Sequence, residues 1–398
     1  MGLLPFRREN VLASTTEAEC NGKPYMKPLK YRYLLAIGLI GLLALVTACA
    51  PNAPQSTFGT AGPVAESQLL IFNVLLWVMV VVFVLVEGVL LYAIIKFRRR
   101  PGQPLPKQTH GNTTLEIVWT VIPTIMMLVL GIWSVMTLVN LEEPSAEAGN
   151  ALEIIATGHQ WWFEFEYHDA DGDGKKITTA NELRVPMGRP VRVSLQSDDV
   201  IHSFWIPKLA GKVDMIPTRN NKLWFQGDEI GMFFGQCAEF CGISHALMKF
   251  RVHVLSEDDY NAWVQGYGQP PELSATALLG QQVFQSTGGC LVCHTTTGYD
   301  APATVAGRMS GYLAGGPHTP GPIFPGPNLT DLGTRQTLAA GIMDLNVENL
   351  RVWLRNPEDV KPGNHMAELA SVYQTPSGDV SLSPEEVTNV IEYLLSLK

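Results

Sequence analysis

Two apolar runs separated by a short basic loop constrain this chain more than any other feature. Leu69 to Ile95 is 27 residues interrupted mainly by Asn73 and Glu87, and Leu115 to Val139 is 25 residues with Glu116 near its start and Pro123 inside. About 20 apolar residues span a bilayer, and backbone polar groups in lipid must be satisfied within the segment. Both runs are therefore expected as transmembrane helices, in which a lone Pro is tolerable. The intervening segment opens Lys96-Phe97-Arg98-Arg99-Arg100. Positive charge is retained on the cytoplasmic side, so this loop lies inside and both outer ends of the hairpin (69–140) lie outside.

A shorter apolar run, Tyr33 to Ala48, follows Lys23, Lys27, Lys30 and Arg32 and ends in Val46-Thr47-Ala48-Cys49. A basic region, an apolar stretch and small residues before a cut describe an export signal over residues 1–48. The closing tetrapeptide resembles a bacterial lipoprotein box, which implies Cys49 as a lipidated new N-terminus and 49–68 as an extracytoplasmic linker. Signal and basic loop agree. Everything beyond about residue 141 should lie outside a bacterial plasma membrane.

Charge divides the chain in the same way. Residues 1–140 carry a net +5, 141–268 a net −8 and 269–398 a net −6, for a total of −9. A basic, apolar third ahead of an acidic remainder fits a membrane anchor with a water-facing body. The acidity argues against nucleic acid as a partner, because phosphate binding needs a basic face, and it suits a cationic protein. With 46% hydrophobic and 16% charged residues, a disordered polar chain is ruled out.

Within 150–256, Phe163–Tyr167, Val191–Leu195 and Phe250–Val254 alternate apolar and polar residues. That period of two marks half-buried strands, and short strands between Gly/Pro/Asp turns imply a β-sandwich or barrel. Asp169-Ala170-Asp171-Gly172-Asp173-Gly174 starts like a calcium loop, but Ala180 stands where the closing Glu belongs and no helices flank it. A hairpin turn is expected there.

The chemistry of this unit sits in Cys237-Ala238-Glu239-Phe240-Cys241-Gly242-Ile243-Ser244-His245-Ala246-Leu247-Met248, with His202 at the end of an earlier strand. Thiolate and thioether are soft donors, and imidazole suits copper as well as zinc. Two thiolates can bridge two metal ions, leaving each ion one His and one weaker ligand. Zinc rarely takes Met, so the thioether favours copper. The competing possibility is a Cys237–Cys241 disulfide beside an incidental Met.

After a linker at Gln269-Pro270-Pro271, the last unit (270–398) carries Gly289-Cys290-Leu291-Val292-Cys293-His294. Cys-x-x-Cys-His is the haem attachment signal: Cys290 and Cys293 add to the vinyl groups and His294 becomes the proximal iron ligand. Helical flanks are expected at Ala277–Ser286 and Pro384–Leu397. No second Cys-x-x-Cys follows, which removes a zinc ribbon. The second axial ligand must come from Met309, Met343 or Met366, with His365 as competitor.

The Cys237–Met248 string, the helical hairpin and Gly158-His159-Gln160-Trp161-Trp162 together resemble subunit II of haem-copper cytochrome c oxidases, over about residues 66–256. The resemblance implies a cupredoxin-like fold and a binuclear copper centre, CuA. Its ligands would be His202, Cys237, Cys241, His245, Met248 and the backbone carbonyl of Glu239. It further implies that the Glu239 side chain helps hold a magnesium ion at the boundary with subunit I. Trp161 falls at the family's electron-receiving aromatic, and Glu116 at the mouth of a proton path. Asn356 to Met366 resembles the Met-bearing loop of class I cytochromes c, which favours Met366. Gly326-Pro327-Asn328-Leu329-Thr330 matches that family too, although Asp331 stands where many relatives have His.

The implied fold class is a multidomain membrane protein: a two-helix transmembrane hairpin, an all-β cupredoxin-like CuA domain and an all-α class I cytochrome c domain. The implied function is that of subunit II of a caa-type oxidase. Electrons would come from soluble cytochrome c or another donor to one covalent haem c, then to CuA, then to subunit I, with subunit III as a further partner. Oxygen reduction and proton translocation would belong to subunit I, leaving no catalytic residue here. The alternatives are the electron-accepting subunit of a CuA-containing nitric oxide reductase and a copper-delivery protein. A quinol oxidase subunit would lack the two thiols.

Overall fold

Two long helices, α1 (Pro63–Lys96) and α2 (Thr113–Asn140), carry the apolar runs. The structure is a computed structural model that describes Tyr33 and residues 36–41, 53–99, 101–104, 107–142, 151–296 and 326–398. Cys49 and Met309 lie outside the described residues, and of the export segment Tyr33 and 36–41 are helical. Both long helices are apolar on every side, and Trp77, Phe83 and Leu91 on one and Trp119, Leu128 and Ile132 on the other are exposed. A helix apolar all round belongs in lipid or against another subunit.

The first helix begins well before Leu69. Pro63 sits in its opening turn, where its fixed φ suits the helix, and Glu66 favours the positive end of the dipole. Val64 and Ala65 are buried, and the Ala61 amide donates to the Lys208 carbonyl at 2.8 Å. The extra turn thus roots the helix in the β-unit. The second helix is anchored at its far end, where Trp224 Nε1 donates to the Leu141 carbonyl at 2.9 Å.

Ten strands build the β-unit: β1 (Leu152–His159), β2 (Trp162–Tyr167), β3 (Ile177–Ala180), β4 (Glu182–Pro186), β5 (Val191–Ser197), β6 (His202–Trp205), β7 (Lys212–Met215), β8 (Asn221–Phe225), β9 (Gly231–Cys237) and β10 (Lys249–Leu255). They form two five-stranded sheets, ordered β3-β2-β1-β5-β8 and β4-β10-β9-β6-β7. The pairs β1/β5 and β4/β10 are parallel and the rest antiparallel. Phe163 and Phe165 of one sheet meet Phe204 and Phe250 of the other, with ring centroids 4.8 to 6.3 Å apart across the gap. Tilted and edge-to-face rings at that spacing add to their area burial. Asp169–Gly174 is the hairpin turn between β2 and β3, and Asp169 and Asp171 accept the amides of Gly174, Asp173 and Lys175.

The alternation in sequence implied strands buried on one face, yet β2, β4 and β10 are buried almost throughout. The reason is the last unit. Trp162, on the outer face of its sheet, packs with Ala180 and with Ala340 from the far end of the chain.

That last unit comprises α3 (Glu257–Gly266), which connects it to the β-unit, then α4 (Ala275–Gln285), α5 (Val347–Arg355), α6 (Pro357–Val360), α7 (His365–Leu369) and α8 (Pro384–Ser396). A two-residue ribbon, β11 (Thr337–Leu338) with β12 (Met343–Asp344), is its strand content among the described residues. The packing of α4 on α8 sets Phe284 edge-on to Tyr393 at 5.5 Å. Ser383 and Glu386 close a capping box that starts α8. Phe284, Leu332, Leu350, Ile391 and Leu394 form a core distinct from that of the sandwich.

Candidate metal centre and haem-attachment site

Strand order assembles the sulfur site. Strand β9 ends at Cys237, and the loop through Met248 returns into β10, its antiparallel partner. Strand β6 lies on the other side of β9, with Phe204 opposite Cys237, which brings His202 to the same end. Cys237 Sγ and Cys241 Sγ are 3.8 Å apart and unbonded. Cys237 Sγ lies 3.8 Å from His202 Nδ1 and 3.3 Å from the Glu239 carbonyl. Cys241 Sγ lies 3.5 Å from His245 Nδ1 and 3.9 Å from Met248 Sδ. Each sulfur therefore has the other sulfur, one imidazole and one weak donor. That is a donor set for two soft ions sharing two thiolates.

The neighbouring Cys241 thiol, together with His202, holds the Cys237 thiol well below its ordinary value, and Cys241 is pushed up in return. Asp199 Oδ1 sits 2.8 Å from His202 Nε2, so that nitrogen carries the proton and Nδ1 is left for a metal. Burial would raise the Asp199 carboxyl, but hydrogen bonds from His202 and the Val200 amide keep it low. At Gly158 the His202 ring lies so close that an added Cβ would be 2.7 Å from Cδ2. No larger residue leaves room for that imidazole.

The Cys241 carbonyl accepts Trp161 Nε1 at 2.9 Å and Gln160 Nε2 at 2.7 Å. Asp199 and Gln160 are site residues that the sequence reading missed. Asp199 precedes His202 by one β-turn's spacing, a weak signal, while Gln160 acts from the turn between β1 and β2, inside the Gly158–Trp162 stretch but without a ligand's chemistry to single it out. Trp161 is 7% exposed, and its ring stacks on His365 with centroids 6.1 Å apart. The Glu239 carboxylate is half-exposed. Glu116 stands exposed in the first turn of α2, apart from the sulfur cluster in sequence and element.

Cys290 and Cys293 occupy a single helical turn that follows α4 and ends at His294. His294 Nδ1 donates to the Pro327 carbonyl at 2.7 Å, which fixes the tautomer and leaves Nε2 for iron. Burial lowers the His294 pKa and raises the Cys290 thiol to about 11. Against the core of the same unit Val283, Leu291, Leu329, Met343, Trp353 and Leu354 remain only partly buried. Two free thiols one helical turn apart and an oriented imidazole, in a unit whose core leaves apolar side chains partly uncovered among the described residues, fit a covalently attached haem. Met366 is half-buried in the first turn of α7. His365 is turned to Trp161, with Nδ1 3.3 Å from Glu368 Oε2, and Met343 packs against the unit's core.

Comparisons with known proteins divide the chain at the same places. Residues 53–137 match the family described as "Cytochrome C oxidase subunit II, transmembrane domain", 169–255 match its "periplasmic domain" and 277–398 match "Cytochrome c". "Cytochrome c oxidase subunit 2" of Alkalihalophilus pseudofirmus is 34% identical over 93% of this chain and 96% of its own. The protein of the same name from Bacillus subtilis is 35% identical over 92% of this chain and 98% of its own. The solved periplasmic domain of subunit II of cytochrome oxidase from Bradyrhizobium japonicum is 34% identical, covering 31% of this chain and 94% of that one, with a TM-score of 0.28.

Proposed function

Since the chain belongs to the cytochrome c oxidase subunit II family, in the form with a cytochrome c domain fused behind the copper domain, we propose that it is the electron-relaying subunit of a caa-type haem-copper oxidase. It takes electrons from a soluble donor at the helical unit and delivers them through the β-unit to subunit I. There oxygen is reduced to water and protons are translocated. The hairpin holds both units on the extracytoplasmic face of the plasma membrane. The observation that carries this reading is the paired sulfur site, in which each of two sulfurs 3.8 Å apart has one imidazole and one weak donor beside it.

When bound, the copper pair and the haem each supply a one-electron redox centre. The residues of this chain do the rest. Cys237 and Cys241 would hold the copper pair through their thiolates, with His202 and His245 each offering an imidazole and Met248 and the Glu239 carbonyl as the weaker donors. Asp199 fixes the His202 tautomer. Cys290 and Cys293 would tether the porphyrin, and His294 Nε2 and Met366 would ligate its iron. Met ligation raises a haem potential, which suits a donor to copper. Trp161, hydrogen-bonded to the backbone of Cys241, is the aromatic contact into the copper loop. Glu239 would hold magnesium only with donors from a second subunit, and Glu116 is proposed at the cytoplasmic mouth of a proton path.

His245→Ala is the direct test. It should abolish the visible and paramagnetic copper signals of the purified complex while the haem spectrum and iron content stay unchanged. Loss of both would mean misfolding, and retention of a normal copper signal would remove His245 from the ligand set. Nitric oxide reduction by the partner subunit has no support in the relatives, which carry the oxidase name over more than nine-tenths of the chain.

A further inference from the structure

Asp331, the residue that departs from the cytochrome pattern, lies wholly buried between the β-unit and the helical unit. Its carboxylate accepts Arg184 Nη1 of β4 at 2.8 Å, Arg335 Nη2 and Nε at 2.7 and 3.1 Å, and Thr179 Oγ1 of β3 at 3.2 Å. Arg184 Nη2 goes on to the Thr334 carbonyl at 2.8 Å. A second carboxylate makes the reciprocal bridge. Glu182 Oε1 of β4 accepts the amides of Gln336 and Thr337 and the Thr337 hydroxyl, at 2.7 to 2.9 Å. Its other oxygen lies 3.1 Å from His253 Nε2 of β10, close enough for an ion pair though outside hydrogen-bond geometry. Arg251 Nη2 completes the seam by donating to the Gly341 carbonyl at 2.8 Å.

Elsewhere in the same interface, the loop that carries Met366 lies on the loop between Cys237 and Met248. Ser244 Oγ donates to the Pro362 carbonyl at 2.6 Å, and the buried Lys361 ammonium donates to the Trp161 carbonyl. Gly363, at φ +76°, has no space for a side chain: a Cβ would stand 3.0 Å from Ile243 and 3.1 Å from Trp161.

In the docked arrangement each of these buried charges is compensated from across the interface, and removing one partner would leave the other buried and unpaired, which is strongly destabilising. We propose that Asp331, Arg184, Arg335 and Glu182 are positioning residues that lock the haem unit onto the copper unit, so that relay within this chain proceeds between fixed partners without a domain excursion. Relative domain motion is the default expectation unless the interface is large and hydrophobic. Here the carboxylates are bound from both sides. This rests on the functional reading above for the identity of the two centres, but the lock itself does not.

The test uses the full chain in its purified complex, with a protease site replacing the exposed linker Gly268-Gln269-Pro270. After cleavage, the covalently coloured helical fragment should still co-elute with the membrane part at both low and high salt. With Asp331→Asn, or with Glu182→Gln should the first variant damage the haem unit, the released fraction should rise by about tenfold or more, as expected for uncompensated buried partners. In uncleaved complex, the flash-induced equilibration between haem and copper should be independent of solvent viscosity in the wild type. It should become slower and viscosity-dependent in the variants while the haem spectrum stays the same. Release of the fragment from the cleaved wild type, a viscosity-dependent wild-type rate, or fragments that stay bound in both variants would overturn the lock. Absence of copper would remove the relay but leave the elution result to judge the lock.

Discussion

The sulfur site shows which parts of a metal centre a sequence can reveal. Five of its side-chain donors are of types that rarely cluster by chance, and four of them fall between Cys237 and Met248, so spacing alone exposed them. What orients them is invisible at that level. Asp199 bonds the far nitrogen of His202, and Gln160 and Trp161 hold the Cys241 carbonyl from the turn between β1 and β2. These contacts depend on how strands are ordered, and no local pattern encodes that. Outer partners of metal-bound imidazoles typically influence affinity by about 10–100-fold. Asp199→Ala should therefore weaken copper retention by about that factor, measured by competition with a chelator on the full chain, while Asp199→Asn, which keeps an acceptor near Nε2, should lose less. Equal retention in all three proteins would mean that Asp199 has no hold on the ligand.

At the level of elements, strand β2 departs most from its sequence signal. Phe163, Phe165 and Tyr167 face the sandwich core as the alternation indicated, but the other face, which should be wet, is covered. Glu164 lies on that face, and no donor meets its carboxylate among the described residues. Burial, reinforced by Glu166 and Asp198, pushes its pKa up to about 8. The folded chain therefore keeps a proton that the unfolded chain releases above about pH 4.5. Stability from this group is complete below that pH and is lost as pH rises towards 8, a span on the order of a few kcal/mol. Glu164→Gln should flatten the slope and make the β-unit more resistant to denaturant at about pH 8 than the wild type, with little difference at about pH 5. An unchanged slope in the variant would place the titrating group elsewhere. The helix boundaries teach a related lesson. Hydropathy marked Leu69 as the start of the first span, whereas α1 begins at Pro63, because the added turn is polar enough for water and is buried against the sandwich rather than in lipid.

Across the whole molecule, the three-part plan was legible because each part announces itself by a different physics: length in lipid, period-two alternation with soft ligands, and a haem attachment signal. Their mutual docking was not, since Asp331 and Arg184 are 147 positions apart and each alone reads as an ordinary surface charge. The charge pattern around the hairpin makes the proposed sidedness of the two outer units testable. Lys96, Arg98 and Arg99 flank the short loop, while the residues after α2 belong to a body with excess acid. Retention of Lys and Arg on the cytoplasmic side acts on short loops of this kind, whereas long folded segments translocate largely regardless of charge. That charge pattern is expected to place the loop inside and the β-unit outside, as proposed above. A membrane-impermeant thiol reagent should label Lys222→Cys, exposed on β8, in intact cells. The same reagent should reach Gly102→Cys, exposed in the loop, only in inverted vesicles. Labelling of Gly102→Cys from outside would reverse the hairpin and leave the soluble electron donor and the haem unit on opposite sides of the membrane.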